Sequence, residues 1–180
     1  QWGDIHWKTM HEFAANCDNI RIPEKEAPIL TDVKDMSNMF QGAVNFNQPI
    51  EHWDVSHVVD MSRMFTAAFS FNQPLERWDT SNVTDISYMF MLCRSFNQSI
   101  ENWDVSQVTD MSGVFTEANS FNQPLAKWNV SNVKDMSGMF RGASAFNQPL
   151  ENWDVSHVTN MEGMFNRAAA FSQPLDKWDV

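Results

Sequence analysis

The strongest constraint on this chain is a repeat of 25 residues that never slips. FNQPLERWDTSNVTDISYMF at 71–90 returns as FNQPLAKWNVSNVKDMSGMF at 121–140 and as FNQPLENWDVSHVTNMEGMF at 146–165. Phe46, Phe71, Phe96, Phe121, Phe146 and Phe171 form one column. Trp53, Trp78, Trp103, Trp128, Trp153 and Trp178 form a second, and Phe40, Phe65, Phe90, Phe115, Phe140 and Phe165 a third. A period this short cannot bury its own apolar face, so successive copies must cover one another and share a core. The columns hold twelve of the 14 Phe and six of the 8 Trp, so an unusual composition reduces to one motif copied.

Five full copies start at Phe46, Phe71, Phe96, Phe121 and Phe146. Partial copies at 31–45 and 171–180 flank them. The array thus runs over 31–180 and stops in mid-repeat, as expected of a piece cut from a longer array. Residues 1–30 lack the repeat but carry Trp2, Trp7, Met10, Phe13, Ile20 and Ile22. Met10, Phe13 and Cys17 sit at helical spacing, and the segment reads as a degenerate first coil that caps the array. Cys17 and Cys93 are too few for a disulfide framework and read as small buried thiols.

Within one copy, Trp53 and Val55 alternate with Asp54 and Ser56, which predicts a short strand. Met61, Met64, Phe65 and Ala68 follow at i, i+3, i+4 and i+7, which predicts one face of a short helix. Asp60 precedes that face, where a carboxylate caps free backbone N–H groups. Its counterparts are Asp35, Asp85, Asp110 and Asp135, then Asn160. The Asn-Gln-Pro after each Phe is turn chemistry, and the Asn47, Asn72, Asn97, Asn122 and Asn147 column predicts a buried amide ladder. The expected fold is an α/β solenoid: short parallel strands on one face, short helices on the other.

The frame Leu-x-x-Trp-x-Val/Thr-Ser-x-Val-x-x-Met-x-x-Met-Phe-x-x-Ala resembles the leucine-rich repeats of BspA-like surface proteins. Ile100, Trp103, Val105, Val108, Met111, Val114, Phe115 and Ala118 fall on it. The Trp-Asp-Val/Thr-Ser core and the Phe-Asn-Gln are closer still to the repeat of mycoplasma-type surface lipoproteins. This resemblance covers about 31–180. It implies a leucine-rich-repeat-like right-handed coil, an extracellular or bacterial cell-surface location and a role in adhesion. It supplies no catalytic residues.

In such a frame the concave sheet face carries Asp54, Asp79, Asp104, Asn129, Asp154 and Asp179. It also carries a column that varies from copy to copy: His52, Arg77, Asn102, Lys127, Asn152 and Lys177. His57, Asn82, Gln107, Asn132 and His157 vary in the same way. Residues that differ between copies are where recognition would be written. The candidate ligand-binding set is therefore His52, Asp54, His57, Arg77, Asp79, Asn102, Asp104, Lys127, Asn152, Asp154 and His157. The expected partner is a protein, a peptide or a glycan, and the alternative is a structural spacer in a larger surface protein.

Charge narrows the partners. Twelve Lys and Arg against 23 Asp and Glu give a net charge of −11. Phosphate binding needs clustered basic residues, so nucleic acid is excluded. No apolar run is long enough to span a bilayer. Three columns of the motif hold fifteen of the 23 acids, so the charge belongs to the repeat. No cofactor is expected. Structural calcium is the one cation reading, and it is disfavoured because no Asp-x-Asp-x-Asp run occurs. The five His make no ligand set, and periodic copies build no unique catalytic constellation, so the chain reads as non-enzymatic.

Overall fold

A computed structural model describes residues 2–23 and 25–179. Its layers follow the repeat, but they are not built as expected. The described residues contain neither an α-helix nor a multi-residue strand. The α/β leucine-rich solenoid, with helices on one face and strands on the other, therefore does not form. The chain runs as turns, and among the described residues the ladder pairings are isolated parallel bridges. One joins His6 to Ile29. The others link Asp35, Asp60, Asp85, Asp110, Asp135 and Asn160 in succession.

The segment expected to be helical shows why. Met36, Asn38, Phe40 and Gly42 each send their N–H to the next repeat: to the carbonyls of Asp60, Ser62, Met64 and Thr66, at 2.7–2.9 Å. The residues between them bond locally, Met39 to Met36, Gln41 to Asn38 and Ala43 to Phe40, three residues back. An α-helix directs every N–H along its own axis, four residues back. Here every second N–H is spent on a neighbouring layer. Left-handed backbone at Asn38 (φ 56°) and Gly42 (φ 69°) resets the chain twice per repeat. The same two positions are left-handed at Arg63 and Ala67, Tyr88 and Leu92, and Gly113 and Glu117. Tandem three-residue turns still return Met36, Met39, Phe40 and Ala43 to one side, and all four are fully buried.

The predicted strand is also a turn. Trp53 N–H bonds to Ile50 and Val58 N–H to Val55. Trp53 and Val55 nevertheless point inward and Asp54 outward, so the alternation was a true sign of facing without being a sign of a strand. Within the array the sheet-like contacts among the described residues fall at the Asp60 column, five residues after Val55.

Two files of phenylalanine run through the core. Phe65, Phe90, Phe115 and Phe140 stack with centroids 5.6–5.8 Å apart. Each also lies 4.0–4.2 Å from its partner in the second file, as Phe90 does from Phe96. Beside them the indole N–H of Trp78, Trp103, Trp128, Trp153 and Trp178 donates to a carbonyl of the previous layer, Trp78 to Ile50 at 3.1 Å and Trp103 to Leu75 at 2.9 Å. On the outer side, Asn47 Oδ1 accepts from Asn72 N–H and from Gln73 Nε2, and the pattern repeats at Asn72, Asn97, Asn122 and Asn147. The amide ladder is thus present, though its Asn residues are exposed or half-buried.

The head joins the same stack. Met10, Glu12, Ala14 and Asn16 donate to Asp35, Ser37, Met39 and Gln41, and Glu12 and Asn16 are left-handed like Asn38 and Gly42. The helical spacing of Met10, Phe13 and Cys17 again marks turns. Cys93 is buried, and burial pushes its thiol pKa well up. Cys17 is exposed, contrary to its reading as a buried thiol. Trp2 packs edge-on against Trp53, with centroids 5.8 Å apart. Among the described residues the buried indole N–H groups of Trp2, Trp7 and Trp53 have no acceptor.

Candidate functional site

The residues expected to bind lie along one exposed side of the stack, but with no sheet there is no concave sheet face. Much of their chemistry is turned inward. Asp54 Oδ1 accepts the Ser56 N–H at 3.1 Å and its hydroxyl at 2.7 Å. These bonds hold the Asp54 carboxyl below the usual carboxylate range, and the same pair does so at Asp79 and Asp154. The Asp104 carboxylate accepts the Ser106 N–H at 2.9 Å. Asn129 makes both bonds with an amide oxygen, at 3.2 and 2.8 Å to Ser131. A neutral acceptor serves equally, so this column closes local turns and its charge is incidental.

The variable column is tied up along the stack. Arg77 Nε lies 3.7 Å from Glu51, and its side chain is 82% exposed. Asn102 donates to Glu76 at 2.9 Å and accepts from Lys127 at 3.0 Å, while Lys127 also pairs with Glu101 at 3.3 Å. Asn152 accepts from Lys177, which pairs with Glu151 at 3.4 Å. Exposed pairs of this kind contribute about 0–1 kcal/mol each. Asn82 and Asn132 donate to the Ser56 and Ser106 carbonyls of the preceding layer. His57 and His157 rest their Nδ1 on Ser56 and Ser156, and His52 is exposed. Arg77, Asn102, Lys127 and Lys177 are thus engaged by Glu51, Glu76, Glu101 and Glu151, one acid that recurs unchanged.

A different side carries a concavity. The first left-handed column bears side chains at Asn38, Arg63 and Tyr88 and none at Gly113, Gly138 and Gly163. The Arg63 guanidinium lies 4.5 Å over the Tyr88 ring. The ring in turn covers Gly113, where a Cβ would collide with Tyr88 Cδ1 and Cε1. Beyond Gly113 the covering stops. A Cβ on Gly138 or Gly163 would meet only ordinary contacts at 3.7–3.9 Å. An open cavity of about 530 Å³ results, within the size range of small-ligand sites.

Tyr88 and Met91 close one end of this groove, and Asn160, Glu162 and Asn166 the other. Thr116, Ser137 and Arg141 line it between them. Several of these groups are fixed by the stack. Thr116 donates to the Gly138 carbonyl at 2.8 Å, Gly138 donates to Glu162 at 2.9 Å, and Asn160 donates to Asp135 Oδ2 at 2.8 Å. Sequence reasoning missed this site. Its trace is the change from Asn, Arg and Tyr to three glycines in one column, off the apolar face of the expected helix.

The Asp column beside the groove is electrostatically uneven. Asp85 is pushed above the usual carboxylate range by burial and by Asp110 and Asp60 on either side, although Ser87 bonds to it. Burial also raises Asp135, but bonds from Ser137 and Asn160 outweigh it and leave the group lowered. Among the described residues no group of three or more His, Cys, Asp or Glu could hold a metal ion. No helix of the described residues is long and apolar enough to cross a membrane.

No curated protein and no solved structure matches the chain. One family model matches it twice, over residues 8–109 and 93–180, so the match includes most of the head as well as the array. The leucine-rich frame of BspA-like proteins is set aside, because the strands and helices that define it are absent. The repeat, its turn-built layers and this match together place the chain in the family described as Mycoplasma protein of unknown function, DUF285.

Proposed function

We infer that this chain is a non-enzymatic repeat module, carried on or outside the cell surface, that binds a protein, peptide or glycan partner. The observation that carries the reading is the groove over Gly138 and Gly163. Earlier in the same column Arg63 covers Tyr88 and Tyr88 covers Gly113, and here the side chains withdraw to leave a concavity with both charges and several amides on its walls. The exposed side bearing Arg77 and Lys127 is the weaker candidate, since its charges already have partners.

The test is a binding screen of the whole chain against peptide and glycan arrays, repeated with two variants. R141A with E162A should lose the captured partner, while R77E with K127E should keep it. The reverse pattern would move the site to the other side. A chain that captures nothing on either array would instead be a spacer. The unbroken phenylalanine files favour that second reading, because a continuous core makes a stiff rod.

A further inference from the structure

The molecule contains a model of its own occupant. In the closed half of the left-handed column, a tyrosine ring lies on a bare glycine backbone and a guanidinium lies over that ring, as Arg63, Tyr88 and Gly113 show. In the open half the glycine seats recur at Gly138 and Gly163 with no ring upon them, and Arg141 stands on the wall. Resting on the reading of this groove as the partner site, we propose that it takes an aromatic side chain, a tyrosine, presented by a peptide segment of a partner protein.

Three features support an aromatic peptide over other ligands. The seat is flat, because a left-handed glycine exposes its peptide plane with no Cβ in front of it. A guanidinium at the wall attracts the face of a ring. Glu162 and Asn166 provide donors and acceptors for the phenol and for the peptide backbone on which it arrives. Tyr88 also shows that the column holds a ring with left-handed backbone (φ 56°).

The test uses the full chain, isotope-labelled, observed by amide NMR. Acetyl-Gly-Tyr-Gly-amide should shift the amide signals of Gly138 and Gly163. Acetyl-Gly-Leu-Gly-amide should bind about tenfold more weakly. G138Y places the protein's own ring over Gly163, as Tyr88 covers Gly113, and should abolish the shifts. G138N, whose side chain stands left-handed at Asn38, should reduce them if the larger variant fails to fold. R141Q should weaken binding of the tyrosine peptide several-fold and leave the leucine peptide unchanged. Equal binding of both peptides overturns the aromatic occupant. Shifts at the two glycines with chitotriose, and none with the tyrosine peptide, overturn it too but leave partner binding in the groove intact. No shift with any probe, together with no capture on the arrays, overturns both.

Discussion

The two halves of the left-handed column stand on the same core and end differently at the surface. In the first half, Asn38, Arg63 and Tyr88 carry side chains, and Tyr88 shields the next layer. In the second half, Gly113, Gly138 and Gly163 carry none, and only Gly113 is shielded. The phenylalanine spacing beneath does not change between them. Periodicity therefore fixes the interior in every copy while leaving surface positions free to differ.

The largest expected effects test whether the interior is uniform. Phe90→Ala and Phe140→Ala remove fully buried rings, one from each half. Each should cost about 3–5 kcal/mol in urea unfolding. Two clearly unequal losses would mean that the halves differ below the surface as well as on it. Next come the glycines. Both Gly113→Ala and Gly138→Ala place a Cβ on left-handed backbone, which carries its own cost. Gly113→Ala must in addition displace the Tyr88 ring, so it should lose about 1–3 kcal/mol more than Gly138→Ala. Equal losses would show that Tyr88 does not cover Gly113.

A smaller effect tests the cover itself. Arg63→Ala removes the cation over Tyr88 and should cost about 0.5–1 kcal/mol. Lys134→Ala, at an exposed position outside that stack, should leave thermal stability unchanged. The smallest effect concerns the Asp column, which changes character where Asn160 replaces an acid. Asp85 has a raised pKa, so its contribution to stability is present below its ordinary pKa and is lost as pH rises through its folded value. Asp85→Asn should therefore raise the melting temperature slightly at pH 7, and the gain should vanish in acid. Asp135 is lowered, so its contribution is present above the ordinary pKa and is lost as pH falls through the folded value. Asp135→Asn should show no such gain at pH 7, and a gain as large as that at Asp85 would erase the difference between the two positions.

Much of the architecture was legible in the residues. The Phe, Trp and Met columns were identified as core, and nearly all lie buried. The Asn column was identified as an amide ladder bonding to turn backbone, and it is one. Alternation at Trp53 and Val55 gave the correct facing. The secondary structure was misread at both predicted elements, for a reason visible at Met36–Ala43. An apolar side chain every three or four residues suits an α-helix, and it suits tandem three-residue turns just as well. The left-handed residues give little warning, since Arg63, Tyr88, Leu92 and Glu117 are not residues that mark turns. Variation between copies points to the side bearing Arg77, Asn102 and Lys127, but these residues are engaged by Glu51, Glu76 and Glu101, an acid that recurs unchanged, and the groove lies on another side.

By itself the sequence determined the period, the membership of the core and the fact that copies must stack, because apolar columns at fixed spacing can be buried in no other way. Only the tertiary structure decided how each copy closes. The N–H of Asn38 can bond four residues back or reach Ser62 in the next repeat, and nothing local distinguishes these partners. The choice belongs to the stack, where one layer's carbonyls stand ready for the N–H groups of the layer before it. The groove was decided there too: three glycines are only missing side chains until Tyr88 covers the first and leaves the next two bare.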